Sequence, residues 1–263
     1  MSLSEARTPS TYGAILLRGL LAGLIAGLLA GVFAYSTGES RIDAAIAIEE
    51  AAAQAAPADP AGDGHHEEEL VSRTGQKGGL FLATALYGVA MGGLLATAYT
   101  LLRRRLRTRS DTRAAFGLAG AALLGMVLVP FVKYPANPPA VGDPATINQR
   151  TISWLAIVVI GLVAVWAGVV ASRALRATAP EWLRAAAALA GFLVVVAIGY
   201  VLLPTVDEVP DTFPPSLLWT FRLASLGTQV TLWTALGLAF AALLHRHERR
   251  NVPAAERTEA VSV

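Results

Sequence analysis

The chain has 263 residues, 54% of them hydrophobic and only 15% charged, with a formal net charge of +2. Together with a mean hydropathy of +0.53, this composition excludes an ordinary soluble domain and places the chain among polytopic membrane proteins. Cysteine is absent, which excludes disulfides and thiolate ligands and leaves imidazole, carboxylate, carbonyl or water for any metal site.

A segment that crosses roughly 30 Å of hydrocarbon needs about 20 apolar residues at 1.5 Å each. Six runs meet that length: residues 15–34, 79–102, 114–132, 152–175, 185–203 and 226–244. Lipid cannot satisfy backbone polar groups, and the alternation of a membrane barrel strand is missing, so each run is expected to be a helix. The expected fold is therefore all-α: a polytopic integral membrane bundle of about six transmembrane helices. It comprises a tail at 1–14, the bundle at 15–244 and a second tail at 245–263.

The first run contains GLLAGLIAGLLAG, with Gly19, Gly23, Gly27 and Gly31 at every fourth position. This spacing keeps small residues on one face, where another helix can approach closely, either within the bundle or at a subunit interface. The run is too long for the core of a cleaved signal peptide and is expected to be retained.

The segment 36–78 that follows divides in two. Residues 40–55 have helix-forming composition with Ser40 as an N-cap, and Asp43 and Glu50, seven apart, share a face. Residues 56–69, APADPAGDGHHEEE, read as an acidic loop. Within it His65, His66, Glu67, Glu68 and Glu69 bring imidazoles and carboxylates together, a composition suited to divalent Co, Ni or Zn. A solvated acidic loop is the plainer reading.

After the second run comes a stretch with six arginines at 103–113. The orientation signal accounts for it, and no nucleic-acid role is expected. Counted over the connections, one side of the membrane carries fifteen Lys and Arg and six acids, the other six and thirteen. The positive-inside rule then puts both termini in the cytoplasm and an acidic, cation-gathering surface outside.

The third run exits into KYPANPPAVGDP at 133–144, where prolines stiffen the backbone and hold Lys133, Tyr134, Asn137 and Asp143 in place. Beyond the fifth run, LLPTVDEVPDTFPP carries Asp207, Glu208 and Asp211. These are either solvated acids or part of an acidic mouth together with Asp43, Glu50 and Asp143. The last run holds Arg222, Ser225, Thr228, Gln229, Thr231 and Thr234 where others hold Leu and Val. Polar groups at membrane depth are costly and mark a pathway or a helix-to-helix bond, and Arg222 has Asp207, Glu208 and Asp143 as potential partners. No G-x-x-x-x-G-K-[ST], H-E-x-x-H or G-x-S-x-G occurs, so neither nucleotide hydrolysis nor another hydrolytic activity is expected.

The phrases VPFVKYPANPPAVGDPATINQRT, EEELVSR and LPTVDEVPDTFPPSLLWTFRLASLGTQ, with the Gly-rich first run, resemble the cobalt transporter subunit CbtA family. The resemblance implies a bacterial integral membrane protein that imports cobalt for cobalamin synthesis with a small one-span histidine-bearing partner, CbtB. Combined with the residues, it suggests a permease subunit without a resident cofactor in the inner membrane, lying in the lipid bilayer as a monomer or a homo-oligomer. Co²⁺ would meet His65, His66 and Glu67–Glu69, then Asp143, Asp207 and Glu208. It would next pass gating groups at Asn137, Arg222, Thr228 and Gln229. The alternative is a non-transporting accessory or scaffold subunit.

Overall fold

The computed structural model describes residues 11–55, 72–106, 108 and 110–250. Regular structure among the described residues is helical throughout. Helix α1 runs Tyr12–Ala55, α2 Arg73–Leu102 and α3 Asp111–Ala122; a π-helical segment, Leu123–Leu128, joins α3 to α4 at Val129–Lys133. A 3₁₀ turn at Pro144–Thr146 leads into α5, Ile147–Ala174, followed by α6, Glu181–Leu202, and α7, Pro215–Arg250. Six helical stretches are long and apolar enough to cross a membrane, the third being α3, the π segment and α4 taken together as Asp111–Lys133.

Local chemistry sets the helix ends. Ser72 and Ser110 cap α2 and α3, their hydroxyls accepting from the amides of Gly75 and Arg113 at 3.3 Å each, which satisfies donors that no helical carbonyl can reach. Pro215 opens α7, where a missing N–H costs nothing. The Arg184 guanidinium reaches back to the carbonyls of Arg176 and Ala177 and ties the α5–α6 turn.

One expectation changes. Ser40 does not start a new helix, because α1 continues unbroken from Tyr12 to Ala55. Ser36 and Thr37, where a break was expected, return their hydroxyls to the Phe33 carbonyl at 3.0 and 2.8 Å and stay helical. At 44 residues α1 is about 66 Å long, twice the hydrocarbon thickness, so it projects well beyond the bilayer.

The chain forms two compact units. Among the described residues the first comprises 11–31, 81–106, 108, 110–120 and 231–250. Its seam is the crossing of α1 and α2, where a Cβ on Gly19 would strike the Gly92 carbonyl, one on Gly23 the Gly88 carbonyl and one on Gly27 the Thr84 carbonyl. Only hydrogen fits at these positions, so the two backbones meet directly. Elsewhere in this unit Leu236 and Phe240 of α7 are fully buried, and Phe240 meets Tyr99 edge-to-face at 5.5 Å. The α2–α3 turn closes on an ion pair, Arg103 Nε to Asp111 Oδ1 at 2.6 Å. Burial works against the Arg103 cation, but the Asp111 hydrogen bond and charge outweigh it and raise its pKa.

Among the described residues the second unit comprises 32–55, 72–80 and 121–230. Here α5 packs on α6 through small residues, Gly168 against Ala188 and Gly191 against Ala167 and Ala171, and it crosses the π segment at Gly161 and Gly125. Wide apolar faces stay exposed, as at Ile152, Val159 and Trp166 of α5 and Leu193, Val194 and Val201 of α6. In water such faces would drive aggregation, whereas in a bilayer lipid tails cover them.

Candidate functional site

Polar chemistry in the second unit concentrates in a cap built from the C-terminal part of α1, the segment 134–147 and the segment 203–214. Ala45, Val141 and Phe213 form its small apolar core, flanked by Ile48, Val209, Leu217 and Leu218. The proline-rich segment bends into this core at Ala140, with φ +67°, and Gly142, with φ +122°. Gly142 lies under the Arg150 guanidinium, which a Cβ would strike. A left-handed backbone and a close approach both call for glycine here.

Glu208 is the hub of the cap. Its carboxylate accepts from the Thr146 hydroxyl at 2.6 Å and from the Asp143 amide at 2.8 Å, and Arg150 Nε lies 3.4 Å away. These bonds, the Thr146 hydroxyl foremost, hold the Glu208 carboxyl below its usual pKa. Asp143 is the N-cap of the 3₁₀ turn, its Oδ1 accepting from the Ala145 amide at 2.8 Å, and its carbonyl accepts from Arg150 Nη2 at 3.0 Å. Asp207, the neighbour of Glu208, is exposed. Asp143 and Glu208 are thus brought together through a backbone amide.

On α7, Arg222 Nη2 donates to Asn137 Oδ1 at 2.9 Å, so its hydrogen-bond partner is an amide, while Asp207, one of the acids considered from the sequence, favours its charge through space. Arg222 Nε and Gln229 Oε1 are buried without a hydrogen-bond partner. Residues 222 and 229 are two turns apart and share a face of the helix. Thr228 returns its hydroxyl to the Ala224 carbonyl at 2.9 Å, which leaves the lone pairs of its oxygen to accept.

A second charged knot joins α1 to the start of α2. Arg73 donates to Glu39 and to Asp43 at 2.8 Å each, and Lys77 lies 3.4 Å from Asp43. Glu39 is only 8% exposed, so Arg73 supplies the countercharge that its burial demands.

A third set of bonds fastens α4 to the end of α6. Tyr200 donates to the Val129 carbonyl at 2.6 Å, Lys133 to the Tyr200 carbonyl at 3.0 Å and Tyr134 to the Pro204 carbonyl at 2.5 Å. Burial raises the Tyr134 pKa, which keeps the phenol protonated as this donation requires.

His65, His66, Glu67, Glu68 and Glu69 lie outside the described residues. Among the described residues no three His, Asp or Glu side chains converge as a metal site. Sequence reasoning missed Arg150 as the partner of Glu208 and Arg73 as the partner of Glu39, because each pair is far apart in sequence. It also missed the π segment, for which Pro130 was the available signal.

Six apolar helical stretches and a polar, hydrogen-bonded cap define a polytopic α-helical membrane protein. The family model described as probable cobalt transporter subunit (CbtA) matches residues 12–245, and the chain belongs to that family. No curated protein and no solved structure matches it.

Proposed function

We propose that this chain is the membrane-embedded permease subunit through which a divalent transition metal, cobalt first among them, enters the cell for cobalamin synthesis. In this reading both termini are cytoplasmic, the membrane is the inner one, and the partner is a small CbtB-like subunit. The family description supports the cargo. The observation that carries the pathway is Gln229, whose Oε1 is buried at membrane depth without a partner. An unsatisfied acceptor there destabilises the fold and is retained where a permeating ion or its water uses it. The cation would be gathered by His65, His66 and Glu67–Glu69, pass exposed Asp207 near Asp143 and Glu208, and reach Asn137, Arg222, Thr228 and Gln229.

A specific observation favours the accessory-subunit reading as well: the carboxylates of Glu208, Glu39 and Asp43 already hold cations or donors of the protein itself. Radioactive cobalt uptake separates the two readings, in cells lacking other cobalt importers and expressing this chain with and without a CbtB-like partner. The permease reading expects saturable uptake that depends on this chain, and competition by nickel and zinc names the metal it prefers. Uptake equal to that of empty cells, with the protein in the membrane in both partner conditions, would leave the accessory role.

A further inference from the structure

The first unit holds an arginine inside a membrane-crossing stretch that neither the family match nor the proposed pathway uses. Arg18 lies on α1 within the stretch Tyr12–Ala51, and its Nη1 is buried without a hydrogen-bond partner. A charged donor left in this way is costly, the more so where lipid replaces water. Helix geometry places the side chain at an edge. Residue 18 shares its face with Ala22, fully buried, and Ile25, exposed. Arg18, itself partly exposed, therefore stands where the packed face of α1 turns into its lipid-facing one, with exposed Leu17 and Leu21 alongside. Its depth is one that a long side chain can span. Tyr12 lies six residues, about 9 Å, nearer the start of the helix, and helical side chains lean toward that start. Half-exposed Tyr12, its hydroxyl hydrogen-bonded to that of Thr97 at 3.1 Å, is an amphipathic ring of the kind that sits at headgroup level. The guanidinium is thus carried toward the headgroups and away from the bilayer centre.

The same end of the unit is charged in one sense. Gly19 meets Gly92 and Gly27 meets Thr84, so α1 and α2 are antiparallel and the start of α1 lies beside the end of α2. The Tyr99–Phe240 contact brings the end of α7 there as well. Arg104, Arg113 and Arg246 are exposed at this end. Asp111, the only acid among the unit's described side chains, is taken up by Arg103. We propose that Arg18 anchors a binding site for an anionic phospholipid. Its guanidinium donates to the headgroup phosphate, the exposed arginines attract the lipid's net negative charge, and an acyl chain lies along Leu17 and Leu21. A zwitterionic lipid carries the same phosphate, but its ammonium is repelled by the surrounding arginines. The site goes beyond the cobalt reading and stands independently of it.

Native mass spectrometry of the detergent-solubilised full chain, offered equal amounts of phosphatidylglycerol and phosphatidylcholine, reads the preference directly. The parent is expected to retain phosphatidylglycerol in excess. Arg18→Gln should lower that retention about fivefold, the worth of one basic residue at an anionic surface, and leave phosphatidylcholine unchanged. Arg41→Gln, in the second unit, should alter neither. Equal retention of the two lipids by the parent, or phosphatidylglycerol retention unaltered in Arg18→Gln, would overturn the site. Displacement of the bound lipid by an equal concentration of inorganic phosphate would also overturn it, in favour of a free-anion site. Should Arg18→Gln not fold, a label on the otherwise unaltered chain decides. Because the chain has no cysteine, a fluorophore can be placed cleanly at Leu21→Cys, an exposed position one turn from Arg18. In vesicles brominated phosphatidylglycerol should quench it about fivefold more strongly than brominated phosphatidylcholine, and equal quenching overturns the proposal.

Discussion

The α1–α2 seam of the first unit and the cap of the second hold chain segments together by opposite means. At the seam Gly19, Gly23 and Gly27 bring backbone against backbone, and the attraction is the dispersion of close packing, because lipid tails give helices no hydrophobic reason to associate. Across the second unit, side chains reach 30 to 85 residues along the sequence to carboxylates, amides and carbonyls. The difference teaches where each mechanism works. Packing requires small residues at fixed spacing and tolerates no addition, whereas a polar lattice spreads its stability over several bonds and loses it in parts.

The largest expected effect therefore falls on the seam. Gly23→Leu drives a side chain into the Gly88 backbone, and overpacking of this kind costs roughly 3 kcal/mol. The variant should lose most of its folded fraction in thermal unfolding of the detergent-solubilised protein. Stability within a few tenths of a degree of the parent would show that the seam is not tight.

Next in size, Arg73→Ala leaves the Glu39 carboxylate buried without its countercharge. A lost charged hydrogen bond of this kind costs about 2 kcal/mol. The double variant with Glu39→Gln should recover part of the loss, and no recovery would break the assigned pairing. A smaller change, about 1 kcal/mol, is expected from Tyr200→Phe, which removes only the bond to the Val129 carbonyl. Hydrogen exchange of residues 129–134 should rise in that variant while the α1–α2 seam stays protected.

The smallest effect concerns acid. Glu208 has its pKa lowered from 4.5, so its contribution to the folded state is fully present above that value and is lost as the pH falls through the lower folded value. Protection of residues 143–150 should be flat from neutrality to roughly pH 5 and decline below it. Glu208→Gln should flatten that decline, and an unaltered acid profile would remove Glu208 as the hub.

The seam and the spans were legible because their causes are local. Runs of about 20 apolar residues and a glycine at every fourth position constrain a helix in lipid whatever surrounds it. The cap was legible only in part. Prolines marked the stiffness of 133–144, but Asn137 opposite Arg222 and Arg150 opposite Glu208 depend on which loops meet, and no local pattern encodes that. Ser40 misled because a serine before an apolar run is a good cap only where the preceding chain leaves the helix, and here Ser36 and Thr37 continue it. The π segment requires knowing that Pro130 sits inside a helix that cannot end at membrane depth.

The central claim, that α7 carries a polar pathway through a cobalt-admitting subunit, is tested most directly by Gln229→Leu. If Gln229 serves transport, replacing a buried acceptor that lacks a partner with an apolar group should leave the protein as stable as the parent or more so. In the same variant, chain-dependent cobalt uptake should fall at least tenfold at equal membrane abundance. A Gln229→Leu protein that takes up cobalt at the parental rate would contradict the account.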